Sequence, residues 1–215
     1  MFIPVEGVGE TPWSFRQKVA FVFGSGPDGR GLVMGHFEQG SQRIVPVEEC
    51  PVHSARANRI AFALRDRLVQ AGIRAAGPSL TGILRHIIIR TTKDDREAVA
   101  MLVVTRNDKS LRSPVRALLD SKDRPEGFFI NIHDRPGPFM IGSHTIKIDG
   151  RSHVRETVGG ISYLISPDSF FQTNVRAAEV LQRCVTQDVA GAARVLDLYC
   201  GSGCFLFRLR PRAHE

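Results

Sequence analysis

The sequence predicts a mixed α/β (α+β) fold: an antiparallel, β-rich region over residues 1–160, then the opening of a doubly wound α/β unit over residues 161–215. Three observations predict it. Short runs of alternating apolar residues, bounded by Gly, Pro, Asn and Asp, fill most of the chain to about residue 165, and alternation is the mark of a half-buried strand. Helical spacing recurs in only two long stretches. Last, residues 194–204 place a short apolar run directly ahead of a Gly-x-Gly turn, so the chain closes with strand, helix, strand and turn, the order that begins a doubly wound unit.

Phe15, Val19, Phe21 and Phe23 alternate over 13–24, and Gly24-Ser25-Gly26-Pro27-Asp28-Gly29 closes that strand. Residues 31–37 read as its hairpin partner and 42–47 as a third strand. The period then changes. Ala57, Ile60, Ala61, Leu64, Leu68 and Ala71 share one helical face, with Gly72 as the stop. Arg56, Arg59, Arg65 and Arg67 cover the opposite side and read as a solvated face. Residues 80–91 and 97–106 make a second hairpin about Lys93-Asp94-Asp95-Arg96. Ser113-Pro114 reads as an N-cap with Pro at the first helical position, opening a short helix through Leu119. Strand character returns at 126–133, 145–148 and 161–165. Ala178, Leu181 and Val185 recur at helical spacing from Asn174 to Gly191, and 195–198 is the final strand.

The 215 residues are 42% hydrophobic and 24% charged, an ordinary soluble balance. The formal charge of +7 is spread over both halves without a basic tail. Such an excess fits a surface that meets phosphates; a basic protein with no polyanionic partner has the same composition. Four cysteines, Cys50, Cys184, Cys200 and Cys204, show no Cys-x-x-Cys spacing and no secreted framework, which predicts reduced thiols and a cytoplasmic protein. The start, Met1-Phe2-Ile3-Pro4-Val5-Glu6, lacks the pattern of a signal peptide, and no apolar run is long enough to span a membrane.

Val195, Leu196 and Leu198 read as a buried strand after which Gly201 and Gly203 let the backbone turn tightly against a ligand. Alone, that Gly-x-Gly fits several dinucleotide-binding folds. The run Val195-Leu196-Asp197-Leu198-Tyr199-Cys200-Gly201-Ser202-Gly203, preceded by Ser166-Pro167-Asp168-Ser169-Phe170-Phe171-Gln172-Thr173-Asn174 and a helix, is more specific. It resembles the S-adenosylmethionine (SAM) dependent RNA (uracil-5-)methyltransferases, a family that methylates C5 of a uridine in ribosomal or transfer RNA. Phe15-Arg16-Gln17-Lys18-Val19-Ala20-Phe21, Gly35-His36-Phe37, Ile44-Val45-Pro46-Val47-Glu48-Glu49-Cys50-Pro51 and Gly82-Ile83-Leu84-Arg85-His86 look like its central domain in order. The resemblance therefore runs from about residue 13 to 203.

The resemblance implies a β-rich central domain followed by a Rossmann-like methyltransferase domain, SAM as cofactor and RNA as partner, ribosomal rather than transfer from the context of Cys50. It implies that Gln172 contacts the cofactor, that Tyr199 is the aromatic residue ahead of the turn, that Gly201 and Gly203 form the turn, and that Asp197 braces it. Core packing is the other reading of Tyr199 and Phe171. Cys204 stands where the family usually has threonine or asparagine, and a thiol is a weak donor. Cys50-Pro51 matches one ligand of an iron–sulfur cluster found in some members, but its three partner cysteines are missing, so Cys50 reads as an orphan and no cluster is expected.

The family's reaction needs a nucleophilic cysteine and a general base, which the resemblance places beyond the point where this chain stops. Cys200, inside the turn, and Cys184, on the preceding helix, read as small structural thiols. After Gly203 the text departs from the family's helix, and Pro211 would end a helix there. The expectation is thus a truncated or frame-shifted member without turnover. A non-catalytic RNA-binding module and a different Rossmann-type enzyme are the rival readings. Arg16, Lys18, Arg85, His86 and Arg90 are candidates for phosphate contacts, although only even spacings share a strand face. His36, His53, His133, His144 and His153 show no metal-ligand spacing.

Overall fold

The computed structural model describes residues 12–26, 29–77, 79–137 and 139–209. The readings that rest on Met1–Glu6 and Pro211 lie outside those residues. Seven strands form one sheet: β1 (Lys18–Ser25), β2 (Leu32–Phe37), β3 (Ile44–Pro46), β4 (Leu84–Thr91), β5 (Ala98–Val104), β6 (Gly127–Ile132) and β7 (His144–Gly150). Their order is β3-β2-β1-β4-β5-β6-β7. All neighbouring pairs are antiparallel except β5 and β6, which run parallel from Val99 opposite Gly127 to Val104 opposite Ile132. The reason lies in the connection, because α2 (Arg112–Leu119) stands between these two strands and a helical crossover returns the chain in the same direction. The β5–β6 pair is one parallel step within the expected, predominantly antiparallel sheet.

β5 is buried along its whole length, and its alternation divides two cores. Ala98, Ala100, Leu102 and Val104 join the cluster that contains α1 (Ala55–Gln70) and α2. Val99, Met101 and Val103 join a second cluster on the other face. That face is covered by a hairpin of β8 (Val154–Val158) and β9 (Ile161–Ile165), followed by α3 (Val175–Asp188). A strand buried on both faces reads as a continuous apolar run, which is what Ala-Val-Ala-Met-Leu-Val-Val supplies.

α1 buries Ala57, Ile60, Ala61, Leu64 and Leu68 as the spacing predicts, while Ala71 is exposed as its C-cap. Ser54 caps its start by accepting from the Ala57 amide at 3.1 Å. α2 begins one residue before Ser113, has no side-chain cap, and places Pro114 in its first turn, where the missing N–H costs nothing. Asn174 caps α3 by accepting from the Ala177 amide at 3.0 Å. The helix face expected to be merely solvated carries ties: Arg56 pairs with Glu126 at 2.7 Å and donates to the Asp95 carbonyl at 3.1 Å.

The strand expected over 195–198 does not form. Leu196 is 79% exposed and Leu198 70%. A buried strand of this kind draws its stability from parallel neighbours and helices on both sides, and no described strand pairs with this segment. Conversely, β8 is a strand the spacing rules missed, although Val154, Glu156 and Val158 alternate ahead of the Gly159-Gly160 turn in the manner of a hairpin.

Candidate functional site

The segment 166–174 is strung from β9 to α3 along the edge of the second core, and the sheet holds it through three side chains. Gln17, just ahead of β1, donates its backbone N–H to the Thr173 carbonyl at 2.7 Å, and its side-chain Oε1 accepts from the Val175 amide at 3.2 Å. Lys18 donates to the carbonyls of Asp168 and Ser169 at 3.4 and 3.0 Å. Arg90, 1% exposed, donates to the Ser169 carbonyl at 2.9 Å. Burial is the main cause that holds its guanidinium down at about 10, so it stays charged at neutral pH. Phe171 fills the core against Tyr163, with ring centroids 5.3 Å apart, whereas Phe170 is 79% exposed and Gln172 is half-buried.

Two candidates for phosphate contact are thereby reassigned. Arg90 is an internal brace for this loop and offers nothing to a nucleic acid, and Lys18 is half-buried against the same carbonyls, where burial, Arg90 and Asp168 in that order perturb it and the balance lowers its pKa. Arg85 donates to the carbonyls of His133 and Arg135 at 3.0 and 2.8 Å. Arg16 donates to the Lys18 carbonyl at 3.1 Å. His86 is pushed down to about 4, first by burial and then by Arg85 and His133, so it is neutral at physiological pH. The sequence shows these cations; only the fold shows that several are already engaged.

The glycine turn lies beyond α3. Gly201 and Gly203 have φ of 56° and 71°, the left-handed region that glycine enters without penalty. A Cβ at Gly203 would sit 2.6 Å from the ring of Phe207, so the turn packs closely on the short helix α4 (Leu206–Leu209). Tyr199 is also left-handed, at φ 62°, and fully exposed. Such a conformation in a bulky residue stores roughly 1 kcal/mol. Asp197 keeps one carboxylate oxygen, Oδ2, buried without a hydrogen-bond partner. An acceptor in that position suits a donor-rich ligand, and these residues fit the amino and hydroxyl donors of a nucleoside cofactor.

Cys204 turns the other way. It is 6% exposed within the second core, its sulfur accepts from Gln182 Nε2 at 3.2 Å, and burial pushes its thiol up. Cys200, expected to be a buried structural thiol, is exposed, and Cys184 is half-buried. His36, Cys50 and His53, which linear spacing does not link, converge, with one ligand atom from each within 4.8 Å of the others. Cys50 has no second cysteine in that group, so the residues present do not fit a four-thiolate cluster.

A separate cavity of about 680 Å³ opens between α2 and the β6–β7 pair, lined by Lys109, Arg112, Arg116 and Arg124 alternating with Asp108, Asp120 and Asp149. Arg116 pairs with Asp120 at 3.5 Å and Arg124 with Asp149 at 3.3 Å. The charges there are largely self-compensated, and none of the turn residues reaches it.

No protein-family model matches the chain. An uncharacterised RNA methyltransferase of Gloeobacter violaceus is 31% identical over 93% of the chain, and one of Geobacter sulfurreducens is 28% identical over 86%. The chain is similar to these RNA methyltransferases along most of its own length. It spans less than half the length of each, 45% and 38% respectively. The solved structure of Pyrococcus abyssi tRNA (uracil-54, C5)-methyltransferase, in complex with S-adenosyl-L-homocysteine, superposes with a TM-score of 0.75 at 23% identity, over 94% of this chain and 47% of that one. That similarity establishes the fold, a mixed α/β architecture dominated by a large antiparallel sheet. Among the described residues no helix is long and apolar enough to cross a membrane.

Proposed function

We propose that this chain is the sheet-bearing part of a SAM-dependent enzyme that methylates C5 of uridine in RNA, ribosomal rather than transfer, and that it carries the cofactor turn. The observation that supports this reading is the likeness to RNA methyltransferases over 93% of the chain. In this reading Gln172, Asp197, Tyr199, Gly201 and Gly203 hold SAM, which supplies the methyl group. Asp197 Oδ2 is the acceptor awaiting a donor, Tyr199 offers an open aromatic face, and the glycines keep the backbone close to the cofactor. The buried Cys204 contributes support behind the turn. The proposed organisation keeps a central β-rich unit to about residue 160 and a cofactor unit from 161, with the β8–β9 turn at their junction.

C5 of uracil is a weak nucleophile, so this class of reaction begins with a thiolate adding to C6. Bound SAM would supply the methyl group that C5 of the resulting enolate takes up, its S–CH3 bond breaking to leave S-adenosylhomocysteine. A base then removes the C5 proton, and elimination restores the double bond and frees the thiolate. Among the described cysteines, Cys204 is buried with a raised pKa, and Cys200 belongs to the turn itself. We therefore propose that the 215-residue chain by itself binds without turnover.

Calorimetric titration of the purified chain with SAM tests the cofactor reading. Binding that Gln172→Ala weakens about tenfold, or 1.4 kcal/mol, supports it; a folded chain that gives no heat with SAM overturns it. Preference for a nicotinamide cofactor would instead favour a different Rossmann-type enzyme.

A further inference from the structure

His36 stands on β2, opposite Val45 of β3, while Cys50 and His53 occupy the turn that leads into α1. The turn is fixed at both ends. Asn58 on α1 donates to the Cys50 carbonyl at 2.9 Å and accepts from the Cys50 amide at 3.3 Å. The His53 amide donates to the Cys50 carbonyl at 3.0 Å, and the Ser54 amide to the Arg16 carbonyl at 3.0 Å. Cys50 and His53 thus form a Cys-x-x-His pair whose backbone is set before any ligand arrives. His36 and His53 lie edge to face, 5.2 Å between centroids, and Phe21 packs against both.

Two imidazole nitrogens, His36 Nε2 and His53 Nδ1, are buried with no hydrogen-bond partner, and His53 is only 4% exposed. Buried polar atoms without partners are uncommon and call for an explanation. Donor type supplies one. Two nitrogens and one sulfur within 4.8 Å of one another form the mixed, borderline-soft set that Zn²⁺ prefers. A tetrahedral ion of that kind holds its ligands about 3.5 Å apart, which modest side-chain rotation achieves.

We propose that His36, Cys50 and His53 bind a single divalent transition ion of the Zn²⁺ type, which staples β2 to the turn ahead of α1. The site takes one ion on nitrogen and sulfur donors, unlike the four-thiolate cluster that the Cys-Pro resemblance brings to mind. The Cys50 thiolate offsets the charge of the ion beside Arg16, whose guanidinium is tied to the Lys18 carbonyl. Three protein ligands leave a fourth position for water.

Titration of the reduced full-length chain with Co²⁺, followed by Zn²⁺ displacement, is the test. The expected result is a thiolate-to-cobalt charge-transfer band that Zn²⁺ abolishes at one equivalent. Cys50→Ser should lose the band and weaken Zn²⁺ binding by about 100-fold, while Cys200→Ser keeps both. Absence of the band, or its survival in Cys50→Ser, overturns the proposal. Should Cys50→Ser fail to fold, thiol alkylation of the unsubstituted chain decides: Zn²⁺ must slow modification of Cys50 and leave the exposed Cys200 unchanged, and equal rates at Cys50 with and without Zn²⁺ overturn the site.

Discussion

Arg90 brings a charge into the sheet in order to hold a loop. Its guanidinium satisfies the Ser169 carbonyl, which Lys18 also reaches, so the loop is held twice. Replacing Arg90 by Met keeps the bulk and removes one charged hydrogen bond, which costs about 1.5 kcal/mol; urea unfolding should show that loss, and a variant as stable as the parent would dismiss the brace. His86 sets a pH dependence. Its folded-state pKa of about 4 lies below the ordinary value of 6.5, so the unfolded chain takes up this proton first. Stability from this residue is therefore complete above about pH 6.5 and declines as pH falls from 6.5 towards 4. His86→Gln should flatten that part of the pH–stability curve measured by denaturant midpoint.

The elements differ in how much the chain itself supports them. β5 is buried on both faces, and Leu102→Ala should cost about 2–5 kcal/mol through lost contacts and a cavity. Leu196 lies in a segment with no strand partner among the described residues, so Leu196→Asp should change stability by less than about 0.5 kcal/mol. A loss of several kcal/mol at Leu196 in parallel urea titrations would show that 195–198 is a paired, buried strand after all. The docked loop and α3 sit between these extremes. Gln17 latches the loop, the Asn174 cap starts the helix, and Gln182 joins the helix to Cys204.

For the whole molecule, the +7 charge is the feature that any RNA partner meets first. Filter binding to a uridine-containing single strand should show log affinity falling linearly with log salt, with a slope near −0.7 for each phosphate neutralised. A flat salt dependence would remove RNA as the partner of this surface. Arg85, Arg90 and Lys18 should contribute little to that slope, because each is already hydrogen-bonded within the protein.

The sequence by itself determined the α1 face, the strand within 97–106, the Asn174 start of α3 and the glycine turn, since each depends on local periodicity or on a backbone conformation that one residue type supplies. The motif segments about Gln172 and Gly201 were equally legible as a resemblance. Only the tertiary structure decided the parallel pairing of β5 with β6, because the α2 crossover sets strand direction without changing the strand's own pattern. It alone showed that Arg90 points inward and that residues 195–198 stay unpaired, since burial depends on what lies across from a residue. The convergence of His36 with Cys50 and His53 was likewise hidden: Cys50 and His53 share a turn, but His36 reaches them through the strand register, which linear spacing does not record.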